Sequence, residues 1–413
     1  MRILLITGDV PATSSMAGSP RVFSLFKYIA QRHEVYLATF ATSVWSVWDP
    51  VNGKCDAFLA SEETARVFQR VNILPTPRLT SFWGRQRHRI LQAPFFLTRY
   101  RSPEGFQLIQ GRIRELMEES NPDLLFVDGL PAAQYILDVD LVPRVVDAHD
   151  AASLNFRRRS RYASSWVEKL SLLLESYSIR RFEVMTARTV DAYLVNSAVD
   201  QGVLHSYHRE MRVSCIPNGV DTEYFAPNTD VSDERTLVFT GVMTYAPNRD
   251  AAHFFCAEIL PRVRSRFPEV RVELVGSNAP DDVCSLAGNG VTVTGTVPDI
   301  RPYVHRAAVY VSPLRFGTGV KNKVLAALAM GKAVVATSES CSGLEVTPGE
   351  HLLVADTPKE FADHIVRLLT DPSRRRHLGI SGRNLVLQRY GWDSIGKQLE
   401  ALLERLVFGA AQP

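Results

Sequence analysis

VYVSPLRFGTGVKNKVLAALAMGKAVVA, Val309 to Ala336, is the stretch that decides the fold. It opens as an apolar, β-branched strand and turns through a loop with Gly317 and Gly319. A run with helical spacing follows, which Gly331 stops before a second strand. Two glycines let backbone N–H groups approach a ligand, the helix N-terminus carries partial positive charge, and Lys321 and Lys323 add two full charges. The spacing therefore predicts an anion cradle for a phosphate or diphosphate. The alternative is a packed βαβ unit with two solvated lysines.

Working outward, 413 residues with 46% hydrophobic content are enough for two domains, because single cores stop growing near ~250–300 residues. The net charge of +3 is nearly balanced and gives no sign of a nucleic-acid binder. Five cysteines, Cys55, Cys215, Cys256, Cys284 and Cys341, form an odd set without a CxxC pair, which argues against a disulfide framework or a zinc ribbon. A reducing cytoplasm fits this set. The first apolar run, before Gly8 and Asp9, is too short for a secretory signal core and reads as a buried strand; no run approaches the ~18 residues of a membrane span. The expectation is a cytoplasmic protein, soluble or held at the inner face of the membrane.

Strands are expected at Ile3–Thr7, Val35–Ala38, Leu124–Asp128, Arg144–Asp147, Ala192–Asn196 and Val213–Ile216, with helices between them. Gly18 and Ser19 precede the first helix at a position where doubly wound folds place ligand contacts, although GxGxxG is missing. His149 and Asp150 follow a strand end and are site candidates, or else a satisfied structural pair. Two basic aromatic segments stand out. Arg78 to Arg101 holds six arginines and no carboxylate, and Arg157, Arg158, Arg159 and Arg161 lie ahead of Trp166. Either segment suits an acceptor or a membrane surface; the alternative for the first is an irregular insertion packed on the domain, and for the second a solvated helix face, the plainer reading of a charge run. After the polar linker APNTDVSDERT the alternation restarts, with strands at Thr236–Thr240, Val270–Val275, Val291–Thr294 and Ala308–Val311, and a helix over Ala251–Phe267. Gly241 to Asn248 is expected to be a loop.

The residues IPNGVDTEYF (Ile216–Phe225), GVMTYAPNRDAAHFF (Gly241–Phe255), VTVTGTVPDIRPYV (Val291–Val304) and KVLAALAMGKAVVATS (Lys323–Ser338), with GLEV and HLLVAD after them, make the chain resemble the retaining family-four glycosyltransferases of GT-B fold. A weaker likeness is to sugar transferases of exopolysaccharide loci associated with PEP-CTERM systems. The resemblance implies an α/β chain of two Rossmann-like domains facing across a cleft. Residues 1–225 would bind the acceptor, 226–392 the nucleotide-sugar donor, and the helix of 393–413 would return to the first domain. It also implies a nucleotide-sugar donor, a glycan or lipid-linked acceptor, no cofactor and no metal. His149 would sit near the transferred sugar and Lys323 at the diphosphate. Gly18, Ser19, Gly241, Asn248, Arg249, Gly317, Thr318, Gly319, Val320 and Lys321 would line the donor.

The chain departs from that family at Thr318 and Ala326, which stand where a Glu-x7-Glu pattern is expected, and at Val242 and Asn248, which replace an Arg and Lys pair. Ala326 cannot accept a bond from ribose, a loss of ~1–3 kcal/mol of donor binding. Lys321, Lys323 and Arg249 are candidates to restore the charge. Three rival readings exist: a metal-dependent GT-A enzyme using Asp138 and Asp140, a sugar-nucleotide epimerase, and a binding or scaffolding protein that has lost turnover. His205 and His208, three apart, lack a third ligand nearby in sequence.

Overall fold

The apolar runs become two parallel sheets. In the computed structural model, which describes residues 1–8, 11, 21–40, 62–75, 93–163, 165–228, 233–317 and 320–409, the first sheet takes β1 (Arg2–Thr7), β2 (Glu34–Phe40), β3 (Arg70–Leu74), β4 (Leu124–Asp128), β5 (Arg144–His149), β6 (Ala192–Val195) and β7 (Val213–Cys215). Their spatial order is β3-β2-β1-β4-β5-β6-β7, and every pair is parallel. The second sheet takes β8 (Asp233–Thr240), β9 (Arg271–Val275), β10 (Val291–Val293), β11 (Ala307–Ser312), β12 (Ala333–Ala336) and β13 (Leu353–Val354). Its order is β10-β9-β8-β11-β12-β13, again parallel throughout. The chain is thus α/β with two doubly wound sheets.

Parallel strands are joined by crossover helices that cover both faces, so their side chains are buried on both sides and no polar alternation survives. Ile3, Leu4, Leu5 and Ile6 of β1 are accordingly all fully buried. In each sheet the winding reverses once, between β1 and β4 and between β8 and β11. Polar residues that follow the C-terminal ends of these strands face the crevice where such folds take ligands.

Contacts divide the chain into two compact units, Met1–Pro217 together with Gly396–Pro413, and Asn218–Ile395. The last helix, Trp392–Phe408, reaches the first unit through Gly396. A Cβ there would lie 2.4 Å from a ring carbon of Tyr28 on the helix Arg21–Ile29. His33 Nε2 then meets Glu400 Oε1 at 3.0 Å.

The sequence reading leaves out two of the four edge strands, β3 and β13. RVNIL carries two polar residues in five and LV has only two residues, too short for any period to register. The helix expected over Ala251–Phe267 is corrected. It begins at Ala246, with Pro247 in its first turn, passes through a π-turn at Phe255–Ile259 and resumes as Leu260–Arg264. Pro261 has no N–H to give and its ring crowds the preceding turn, so the backbone opens there instead of continuing as regular α-helix. The loop expected before Asn248 accordingly ends earlier.

Candidate active site

In the first unit three carboxylate and imidazole groups gather at the strand ends of β4 and β5. Asp128 closes β4, Asp147 precedes the end of β5, and His149 ends it; their ligand atoms lie within 4.8 Å of one another. Arg21, the first residue of the first helix, is buried against them. Its Nε donates to Asp147 Oδ2 at 2.8 Å, Nη1 to Pro217 O at 2.7 Å and Nη2 to Ile216 O at 2.9 Å. A buried guanidinium is tolerable only when its donors are met, and one full and two partial negative charges meet it here. Asp147, fully buried, also accepts the backbone N–H of His149 at 3.2 Å.

His149 departs from regular strand geometry. Its φ of 69° lies in the left-handed region, and the register between β5 and β6 shifts between Asp147 and His149. Such a conformation in a non-glycine residue is held only where the surroundings over-determine it. The imidazole remains 43% exposed, and its Nε2 meets Asp128 Oδ1 at 2.7 Å. Burial alone would push its pKa down. The Asp128 charge and hydrogen bond, helped by Asp147, outweigh burial and the Arg21 guanidinium and raise it to about 9. At neutral pH His149 is therefore an imidazolium, a fixed cation at the sheet's ligand edge. These groups have the ligand types of a cation site, and the Arg21 guanidinium already sits among them as a fixed cation. A second group, His33, Glu400 and Glu404, lies where Arg32 pairs with Glu400 at 3.4 Å. Among the described residues His205 and His208 join no such group.

In the second unit Lys323 of the opening stretch lies in a corner at the ends of β8 and β9. Gly241 follows β8, and Gly276 follows β9. A Cβ on Gly276 would sit 1.7 Å from the Gly241 carbonyl oxygen, and one on Gly241 would sit 2.6 Å from Asn248 Nδ2 and 2.9 Å from Lys323 Nζ. At Gly276 the obstacle is backbone, so no side chain fits; at Gly241 a Cβ would fit only if Asn248 and Lys323 moved away. Lys323, in the first turn of the helix Asn322–Ala329, donates through Nζ to Asn248 Oδ1 and lies 4.7 Å over the Phe239 ring. Asn248 Nδ2 in turn donates to Val242 O at 2.9 Å. Burial, reinforced by the Lys321 charge, lowers the Lys323 ammonium to about 7. Lys321 is buried beside it, with Nζ 3.5 Å from Glu339 Oε1.

The structure thus brings Gly241, Asn248 and Lys323 together, with Lys321, Val320 and Gly317 in the adjoining loop. Arg249 turns aside: its Nε donates to Asp282 Oδ2 at 2.7 Å, an oxygen shared with His253. Gly18, Ser19, Thr318 and Gly319 lie outside the described residues, as do most of the Arg78–Arg101 segment and Cys55. Arg157, Arg158 and Arg159 end the helix Ala152–Arg159, and Trp166 opens the next long one. Asp138 of the Asp-x-Asp pair lies 3.6 Å from Arg99. Sequence reasoning missed Asp128, Asp147, Arg21 and Glu339. Asp128 was legible by the same rule that singled out His149, since both end a buried strand.

Comparisons with known proteins agree with this architecture. The family model described as Glycosyltransferase Family 4 matches residues 21–224, and that described as Glycosyl transferases group 1 matches residues 234–371. A phosphatidyl-myo-inositol mannosyltransferase of Mycobacterium tuberculosis is 28% identical over 213 residues, 48% of this chain and 55% of that protein. The chain thus spans about half the length of the curated relatives it matches. Among solved structures, a sucrose-phosphate synthase from Thermosynechococcus elongatus superposes with a TM-score of 0.69 at 20% identity, covering 99% of this chain and 100% of that one. Anabaena Alr3699/HepE in complex with UDP gives a TM-score of 0.67 at 14% identity, covering 98% and 100%. These likenesses place the two sheets in the GT-B fold.

Proposed function

The chain belongs to the group 1 glycosyltransferases of family 4, and from that membership we propose that it moves a sugar from a nucleotide-diphosphate sugar to a glycan or lipid-linked acceptor. The observation that carries this reading is the corner of Gly241, Gly276, Asn248 and Lys323 at the winding reversal of the second sheet. Breaking a sugar–phosphate bond leaves growing negative charge on the diphosphate. A lysine held in a low-dielectric recess, a second lysine beside it and the N–H groups of a helix terminus stabilise that charge where it develops. No metal is required for that stabilisation, and none is assigned a role. UDP and UDP-glucose are the ligands named for the HepE structures; a pyrophosphate of the same kind suits this corner.

In this reading His149, held by Asp128, faces the transferred sugar and positions it by hydrogen bonding to a hydroxyl. Retention of configuration follows the family and needs no protein nucleophile. A place in exopolysaccharide or cell-envelope glycan synthesis, in the cytoplasm at the inner membrane face, accords with a lipid-linked acceptor. Among the described residues no helix is long and apolar enough to cross a membrane. One observation favours a second reading. Ala326, buried in the helix after Lys323, offers no acceptor to ribose, as in a protein that binds donor without turning it over.

A donor panel separates the two. Each nucleotide sugar is tested by calorimetry for binding and with membrane extract for transfer, in EDTA. Binding with transfer is the expected result, binding without transfer supports the second reading, and no binding by any donor defeats both.

A further inference from the structure

The long helix Trp166–Thr189 carries a stripe that sugar transfer does not use. At 100° per residue, Trp166, Leu170, Leu173, Tyr177, Val184 and Arg188 share one face. Along the first half that face is apolar and open to solvent: Trp166 is 76% exposed, and Leu170, Leu173, Leu174 and Tyr177 are all exposed. Residues 166–171 are exposed in every direction, so this part of the helix stands off its own domain. Along the second half the stripe becomes basic. Arg180, Arg181 and Arg188, with Tyr177 and Tyr207, line a shallow groove of about 700 Å³, and the Arg180 guanidinium lies 4.1 Å over the Tyr207 ring. Arg157, Arg159 and Arg161, just ahead of the helix, are exposed as well. Two of the helix's three acids are withdrawn: Glu183 is buried on Ser153, and Glu175 accepts the Phe95 N–H at 2.8 Å, while Glu168 is exposed. Off the helix, Glu210 lies 3.8 Å from Arg188.

We propose that this stripe is the surface by which the protein lies on an anionic phospholipid bilayer, with Trp166 and the leucines entering the headgroup boundary and the groove arginines taking headgroup phosphates. An apolar half and a basic half on one helix face are the two signals that stable interfacial binding takes. Trp belongs at that boundary because its ring is apolar and its N–H is polar. A second copy of the chain is the poorer occupant. A two-fold contact would bring like-charged arginine clusters together, whereas phosphate headgroups neutralise them. The proposal deepens the reading of a membrane-apposed acceptor and rests on it for its purpose only, since lipid binding is measured without any glycosyl transfer.

The test is cosedimentation of the full chain with phosphatidylcholine vesicles, with and without phosphatidylglycerol. The expected result is partition onto the anionic vesicles alone, weakened by salt. Partition falls at least about tenfold in L170S/L173S, which removes apolar burial at two exposed positions, and comparably in R180A/R181A. The blue shift of tryptophan emission disappears in W166F. Circular dichroism and donor binding stay unchanged in each variant, so failure of the donor reading is scored separately. Equal binding to neutral vesicles, or undiminished binding by the variants, overturns the proposal. So does a dimer in vesicle-free buffer that L170S/L173S dissolves, because the stripe would then belong to a second copy.

Discussion

With Lys323 at the donor diphosphate, as proposed, donor binding becomes a proton-linked event. Burial and the neighbouring Lys321 lower its ammonium to about 7, so in the free protein it is half deprotonated at neutral pH. A diphosphate in the corner restores a counter-charge and draws the proton back. The pyrophosphate of a nucleotide sugar has no group of its own that titrates near 7, so the uptake belongs to the protein. With a midpoint at about 7, roughly ten-elevenths of the lysine is charged at pH 6 and one-eleventh at pH 8. If the charged form is the one that binds, affinity falls about tenfold between those values, about 1.4 kcal/mol. The sign for the free fold is opposite. A depressed lysine binds more protons unfolded than folded, so stability rises as pH climbs from about 7 toward the ordinary lysine range. Calorimetry of a binding donor at pH 6, 7 and 8, repeated in buffers of different ionisation enthalpy, reads both affinity and protons. The expected uptake is about half a proton at pH 7 and about nine-tenths at pH 8. Lys323→Gln should bind weakly with no pH dependence and no uptake. A wild-type affinity that is flat across this range, with no proton exchanged, refutes the assignment.

Three further outcomes follow from the same geometry. Asp128→Asn removes the charge that holds His149 near 9, so burial then governs and the imidazole pKa should fall below the ordinary histidine value; an NMR titration that still reports about 9 would show another source of the shift. Glu183, fully buried against Ser153, has a carboxyl raised to about 8 by burial, so the folded state keeps a proton that the unfolded chain gives up near pH 4 to 5. Its stabilising contribution is fully present below that range and is lost as pH rises to about 8; Glu183→Gln, which mimics the protonated form, should flatten this fall by a few kcal/mol in denaturant titrations, and an unchanged pH profile would remove Glu183 as its cause. Ala326→Glu returns an acceptor for ribose and should tighten donor binding by ~1–3 kcal/mol; weaker binding with an intact circular dichroism spectrum would mean that the carboxylate does not reach the donor.

Much of the architecture was legible because parallel, doubly covered strands write themselves as unbroken apolar runs. Ile3–Thr7 and Leu124–Asp128 are examples, with boundaries within a residue of those observed. The corner at Lys323 was partly legible for a related reason: Gly241 and Lys323 sit at the ends of recognisable elements, where local sequence dictates position. Gly276 was not, since its requirement for no side chain comes from the carbonyl of Gly241, a contact across two strands that no local pattern encodes. Arg21 shows the same limit. Its sequence surroundings, RVFSLF, give no hint that the guanidinium is buried, and its partner Asp147 lies 126 positions away. Glu183 reads as one more polar position on a long helix until tertiary packing shuts it from water.

In the proposed function this corner stabilises a departing nucleoside diphosphate during sugar transfer. A radiolabelled sugar followed from nucleotide donor to membrane acceptor, in EDTA, with wild type and Lys323→Ala side by side, tests that role. Wild type should transfer label, and Lys323→Ala should be slower by about a hundredfold or more, the scale of losing one positioned electrostatic group. Equal rates for the two proteins, or no transfer by wild type from any donor that it binds, would contradict the account.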